Sequence, residues 1–177
     1  MSIGKLLFAT ACGGLLFSSA SHAALGDSLY AAGGDVTITF EGSDAAYDSL
    51  ISINGGVAFF PNHGTAGGAV VDLGTFAAGT LLDVALTVSN TGHTFHTGSG
   101  ASNPDGIAHA NVIYNYQGVS GLTYVGFEDL FGGGDKDYND HQFAFTMIAA
   151  PVPEARTFAL LAGGLAGLAV VMRRRRR

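Results

Sequence analysis

Leu82-Asp83-Val84-Ala85-Leu86-Thr87-Val88-Ser89 places an apolar side chain at every second position, with Asp83, Ala85, Thr87 and Ser89 between. Successive side chains of an extended strand point to opposite faces, so this alternation describes a strand with one face buried and one near water. The same period of two returns at Val36, Ile38 and Phe40, which alternate with Thr37 and Thr39. It returns again at Ala110, Val112, Tyr114 and Tyr116, expected to share a face, and at Phe143, Phe145 and Met147. No stretch from 24 to 150 holds a 3.6-residue period. Turn signals separate these runs: Asn54-Gly55-Gly56 inside an expected hairpin from Leu50 to Phe60, Gly67-Gly68, Ala78-Gly79, Gly118, and Gly132 to Gly134. Seven or eight short strands at this spacing predict one all-β domain over 24–150, an antiparallel β-sandwich or jelly roll. The polar loop from Asn90 to Asp105 carries two His and shows no strand pattern.

Charge is distributed unevenly. Residues 24–150 hold thirteen Asp and Glu against the single Lys136, a net charge of −12 with His neutral, whereas the whole chain carries −6 because five arginines close the sequence. A domain this negative repels phosphate, so nucleic acid is not an expected partner. Five of its carboxylates lie in Phe127–Asp140, FEDLFGGGDKDYND, around three glycines. Like charges this crowded repel, and a divalent cation among them removes the repulsion. Asp135 and Asp137 face one way if the backbone is extended, a turn brings Asp140 or Asn139 to join them, and Glu128 and Asp129 reach across from the end of the preceding strand. The six form an expected Ca2+ site, for which glycine lets backbone carbonyls approach. An EF-hand would need Gly and Glu where Asp140 and Thr146 stand, and a β-roll would need repeats this chain lacks. A solvated acidic turn without an ion is the alternative.

The two ends speak to location. Lys5, an apolar run from Leu6 to Phe17 and Ser21-His22-Ala23 have the form of a Sec-type signal peptide over 1–23, cut between Ala23 and Ala24. Cys12, the only cysteine, falls inside that segment, so the mature chain is expected to lack disulfides, thiolate-bound zinc and thiol catalysis. At the other end, Val152-Pro153-Glu154-Ala155 precedes an apolar run from Thr157 to Met172 and then Arg173 to Arg177. As a helix those sixteen residues span roughly 24 Å, short for a bilayer, and the arginines favour a cytoplasmic tail. A transmembrane helix over 157–172 is expected, as a transient inner-membrane anchor.

This C-terminal order of parts resembles the PEP-CTERM sorting signal, with Pro153, Glu154 and Ala155 at the motif and Ala155 where the family usually has a second proline. The resemblance implies recognition by an exosortase-type sorting enzyme in a Gram-negative, exopolysaccharide-producing host, and delivery to the cell surface or extracellular matrix. A second resemblance rests on Asn103-Pro104-Asp105-Gly106-Ile107-Ala108-His109 together with Phe127 to Phe145: the segment is similar to the family called domain of unknown function 4114. That resemblance implies a secreted β-sandwich with a calcium loop and no established general activity.

Catalysis finds little footing. There is no Gly-x-Ser-x-Gly elbow, no His-Glu-x-x-His pair and no phosphate-cradling glycine loop, so no catalytic residues are assigned and the chain is not read as an enzyme. His93 and His96 are spaced to hold zinc or copper with His63 or His109, though a solvated polar loop is the simpler reading. His109 is expected half-exposed on its strand, beside the acidic cluster at best. The leading expectation is an exported, calcium-stabilised structural or adhesive protein. The alternatives are a lectin-like module binding polysaccharide through calcium or through Tyr114, Tyr116, Tyr124 and Tyr138, and a surface glycoside hydrolase using a carboxylate pair.

Overall fold

The computed structural model describes residues 22–150. The expected signal segment before His22, the motif Pro153, Glu154 and Ala155 and the apolar run 157–172 lie outside the described residues. Among the described residues no helix is long and apolar enough to cross a membrane.

Eleven strands follow in order: β1 His22–Leu25, β2 Leu29–Tyr30, β3 Gly34–Gly42, β4 Ser49–Ile53, β5 Val70–Phe76, β6 Leu81–Leu82, β7 Val84–Val88, β8 Thr94–His96, β9 Ala110–Tyr114, β10 Thr123–Phe127 and β11 His141–Phe145. Every pairing is antiparallel, which bears out the all-β antiparallel expectation. The count exceeds the expected seven or eight because β2 and β6 are two-residue pieces joined only to each other and because β8 lies in a segment expected to be a loop. One sheet runs β1-β9-β10-β11-β3-β5 and another β4-β7-β8.

Alternation in the sequence becomes burial. Val36, Ile38 and Phe40 of β3 and Leu82, Val84, Leu86 and Val88 of β6 and β7 are 0–2% exposed, in one cluster with Val112, Val125, Phe143 and Phe145. Both sheets thus share one core. Phe40, Phe95, Phe127, Phe143 and Phe145 are its largest fully buried side chains. At ~1.5–3 kcal/mol for each such side chain, they supply the hydrophobic stabilisation that a chain without a disulfide in this region requires.

Three sequence expectations need correction. Tyr116 does not share the inward face of Ala110, Val112 and Tyr114, because Asn115 turns left-handed at φ 52° and starts a 3-10 turn over Tyr116–Gly118. Met147 does not continue the buried row of Phe143 and Phe145, since β11 has ended and Met147 adopts φ 55° with 41% exposure. The loop 90–105 is interrupted after all, by β8, whose Phe95 is fully buried and pairs with Leu86. The hairpin after Leu50 does form: Asn54 and Gly55 take positive φ, and its return arm holds through a single bridge between Ile51 and Phe59.

The ends of the described chain converge. Ala31 bridges Ile148, and the Ala149 N–H donates to the Tyr30 carbonyl at 2.8 Å. β1 pairs with β9 along the sheet edge from His22↔Tyr114 to Leu25↔Asn111, so the expected cut between Ala23 and Ala24 falls within this strand.

Candidate metal centre

Beyond Phe127 the β10 register ends, and the chain makes a turn of three left-handed glycines, Gly132, Gly133 and Gly134, before re-entering the sheet at His141. Lys136 and Tyr138 are also left-handed, so Asp135 and Asp137 are brought together by a folded backbone and not by an extended one. With Glu128 they form a trio whose ligand oxygens lie within 4.8 Å of one another. Gly134 is required here, because a Cβ at that position would run into Glu128 Oε2.

Glu128 and Asp129 are 1% and 3% exposed, although both are acidic. Glu128 Oε1 accepts the Tyr138 N–H at 2.7 Å. Burial pushes its carboxyl up, with Asp140 and Asp135 adding to the effect. Asp129 is pushed up to about 7, first by burial and then by the Asp140 charge. Its Oδ2 is buried and has no hydrogen-bond partner. Asp140 accepts the Asp129 N–H at 2.9 Å, and burial raises its carboxyl as well. Asn139 stands behind Asp137, donating through Nδ2 to Asp137 Oδ2 at 2.5 Å. A hollow of about 400 Å³ is lined by Glu128, Asp129, Asp135 and Asp140 together with Asp44 and Tyr47.

Among the described residues no ion pair joins these carboxylates to a basic side chain. The ion pairs among the described residues are His63 with Asp48, His96 with Asp83 and His109 with Asp105; Lys136, in the middle of the run, makes none of them. A buried carboxylate oxygen without a donor is costly, and a cluster of five carboxylates compounds the cost. The donor set is all oxygen, which suits a hard divalent ion such as calcium. Of the six residues expected to hold the ion, Glu128, Asp135 and Asp137 are the ones whose oxygens come within 4.8 Å of one another; Asp129, Asp140 and Asn139 are not in that group.

Sequence reasoning overlooked Asp105, Asp44 and Tyr47. Asp105 Oδ2 accepts both His109 Nε2 and the Gly132 N–H at 2.8 Å, and its Oδ1 accepts the Ile107 N–H at 3.1 Å. Burial opposes its ionisation, but these donors prevail and hold it at about 2. His109 is wholly buried, contrary to the half-exposed expectation: Nδ1 donates to the Glu128 carbonyl at 2.9 Å, and the ring stacks on Phe95 with centroids 3.7 Å apart. The segment Asn103–His109 offered the only sequence signal for this strap. The His93, His96, His63 grouping does not assemble. His93 packs on Phe131, His96 bonds Asp83, and His63 bonds Asp48 at 2.8 Å.

An acidic turn on an antiparallel all-β scaffold, with Glu128 and Asp129 buried and Asp135 and Asp137 exposed, defines the class. Residues 76–147 match a family described as Domain of unknown function (DUF4114). The match runs from the last residue of β5 through β11 and takes in the whole acidic turn and the Asp105 strap; β1, β3, β4 and the rest of β5, which complete the two larger sheets, lie before it. No curated protein and no solved structure matches the chain.

Proposed function

We propose that residues 24–150 form an exported, calcium-stabilised β-sandwich that serves as a structural or adhesive component of the cell surface or of a polysaccharide matrix. The observation that carries this reading is the trio Glu128, Asp135 and Asp137, whose oxygens lie within 4.8 Å of one another and which, among the described residues, make no ion pair, next to a buried Asp129 Oδ2 without a hydrogen-bond partner. A bound Ca2+ supplies the missing positive charge and draws Glu128, Asp135 and Asp137 to one centre. Export rests on the Lys5 to Ala23 segment, and sorting by an exosortase-type enzyme after transient inner-membrane anchoring rests on the Pro153-Glu154-Ala155, apolar and arginine segments. Differential scanning calorimetry of the full chain in millimolar calcium and in chelator tests the ion. A higher Tm in calcium, with magnesium giving a smaller rise, is expected; superimposable curves would remove it. Mass spectrometry of the secreted form tests the sorting, with a chain ending near Glu154 expected and Arg177 retained on most molecules counting against it.

A surface glycoside hydrolase is the second reading, favoured by one feature: five carboxyl groups share a hollow, and one of them is raised to about 7, as a general acid requires. Release of reducing ends from polysaccharide by the full chain, abolished in Asp129→Asn, would support it over a purely structural role.

A further inference from the structure

The outward face of β9, β10 and β11 differs from the rest of this acidic domain. Register places Tyr124 between Ile113 and Ala144, and Gly126 between Asn111 and Gln142. None of the six is charged. Gly126 has no side chain to stand between them, and the Tyr124 ring lies down over it: a Cβ there would meet the ring's Cε1 at 3.2 Å and the hydroxyl at 3.0 Å. The Tyr138 carbonyl closes the other side of the same gap. Tyr124 is fixed in this pose by donating to Gln142 Oε1 at 2.9 Å, while Gln142 Nε2 donates to the Asn139 carbonyl at 2.9 Å. Tyr116, swung out of the inward row by the left-handed Asn115, brings its ring to 5.1 Å from Tyr124 with a 32° tilt. Burial, then Tyr116 and the Glu41 and Asp137 carboxylates, push the Tyr124 hydroxyl up to about 12, so it stays protonated and keeps donating.

We propose that this face, with Tyr116 and Tyr124 as the floor and Asn111, Gln142 and Glu41 at its margin, is a binding platform for a neutral polysaccharide. Aromatic rings that are held flat and partly exposed offer apolar area to the C–H face of a sugar ring at little entropic cost. Amides and carboxylates beside them accept and donate to its hydroxyls. An anionic polymer is repelled by Glu41, Asp137 and the −12 domain charge. An apolar protein partner would strand the side-chain amide of Asn111, which a hydroxyl-rich ligand does not. Tyr114, named with these tyrosines in the sequence, is excluded, being 2% exposed and turned into the core. The platform goes beyond the calcium reading and does not need the ion.

Affinity electrophoresis of the full chain through native gels containing laminarin, hydroxyethyl cellulose, galactomannan or polygalacturonate tests it. Retardation by at least one neutral polymer and none by polygalacturonate is expected. Tyr116→Ala and Tyr124→Ala should each weaken retardation at least about fivefold, the scale of one lost aromatic stack, while Tyr124→Phe, which keeps the ring, retains most of it. Circular dichroism melting accompanies each variant; if Tyr124→Ala fails to fold, Tyr116→Ala on its surface turn decides. Three results would overturn the proposal: no retardation by any neutral polymer, retardation indifferent to Tyr116, or a concentration-dependent dimer that Tyr116→Ala dissociates. Repeating the gels in chelator separates the two readings. Unchanged melting in chelator defeats calcium alone, and unchanged retardation in Tyr116→Ala defeats the platform alone.

Discussion

Asp105 and His109 meet at 2.8 Å, Oδ2 to Nε2, with side chains 3% and 0% exposed, and the same carboxylate oxygen holds the Gly132 N–H. The long segment before β9 is thereby strapped to the glycine turn that carries the acidic cluster. Asp105→Ala leaves His109 without its partner inside the core, and the loss of one member of a buried pair costs about 3–5 kcal/mol. Urea denaturation should show that loss, with Asp105→Asn recovering part of it by keeping the acceptor oxygen.

Gly134 sits at φ +46° with Glu128 Oε2 where a Cβ would go. Gly134→Ala therefore strains the turn and displaces a candidate ligand, and calcium titration calorimetry should show at least about a tenfold loss of affinity, while stability in chelator falls by only ~1–3 kcal/mol.

Asp129 is raised to about 7 from an ordinary carboxyl value of 3.8. Between those values the folded protein binds a proton the unfolded chain has lost, so in chelator this group's contribution to stability falls as pH rises from about 4 to 7. His141, lowered to about 3 by burial, acts in the opposite sense over part of that range. The difference between calcium and chelator cancels the histidine: the stabilisation by calcium should grow with pH through this window, and Asp129→Asn should flatten that growth. Thermal melts at pH 4.5, 5.5, 6.5 and 7.5 measure it.

Phe95 and His109 stack at 3.7 Å, which joins β8 to the Asp105 strap. Phe95→Ala should destabilise the fold by about 3–5 kcal/mol, and Phe95→Leu by less. The midpoint of chemical unfolding reads the difference.

The strands of the core were legible because burial of one face writes itself into every second residue: Val36, Ile38, Phe40 and Leu82 to Val88 needed no further information. β8 was not, since three residues between turn signals, Thr94 to His96, are too few to display a period. Tyr116 and Met147 misled for another reason. Each continues the alternation on paper, but a left-handed residue at Asn115 or at Met147 itself breaks the pleat; Asn tolerates that conformation and was a signal passed over, whereas Met gives none. The acidic turn was conspicuous as composition, yet the burial of Glu128, Asp129 and His109 depends on pairing across about twenty to thirty residues. His109 precedes β9, so strand parity does not govern where its ring goes. Asp105 donates nothing to the local pattern; its partner Gly132 lies 27 positions away.

His22 stands opposite Tyr114, Tyr114 opposite Thr123, and Thr123 opposite Phe145, three residues before the chain bridges back to Ala31 at Ile148. First and last described residues therefore sit at one pole. The carboxylate turn enters β11 at its other end, about 17 Å away along five residues. Held by either extremity, the domain would stand like a stalked head, its acidic tip turned away from the point of attachment.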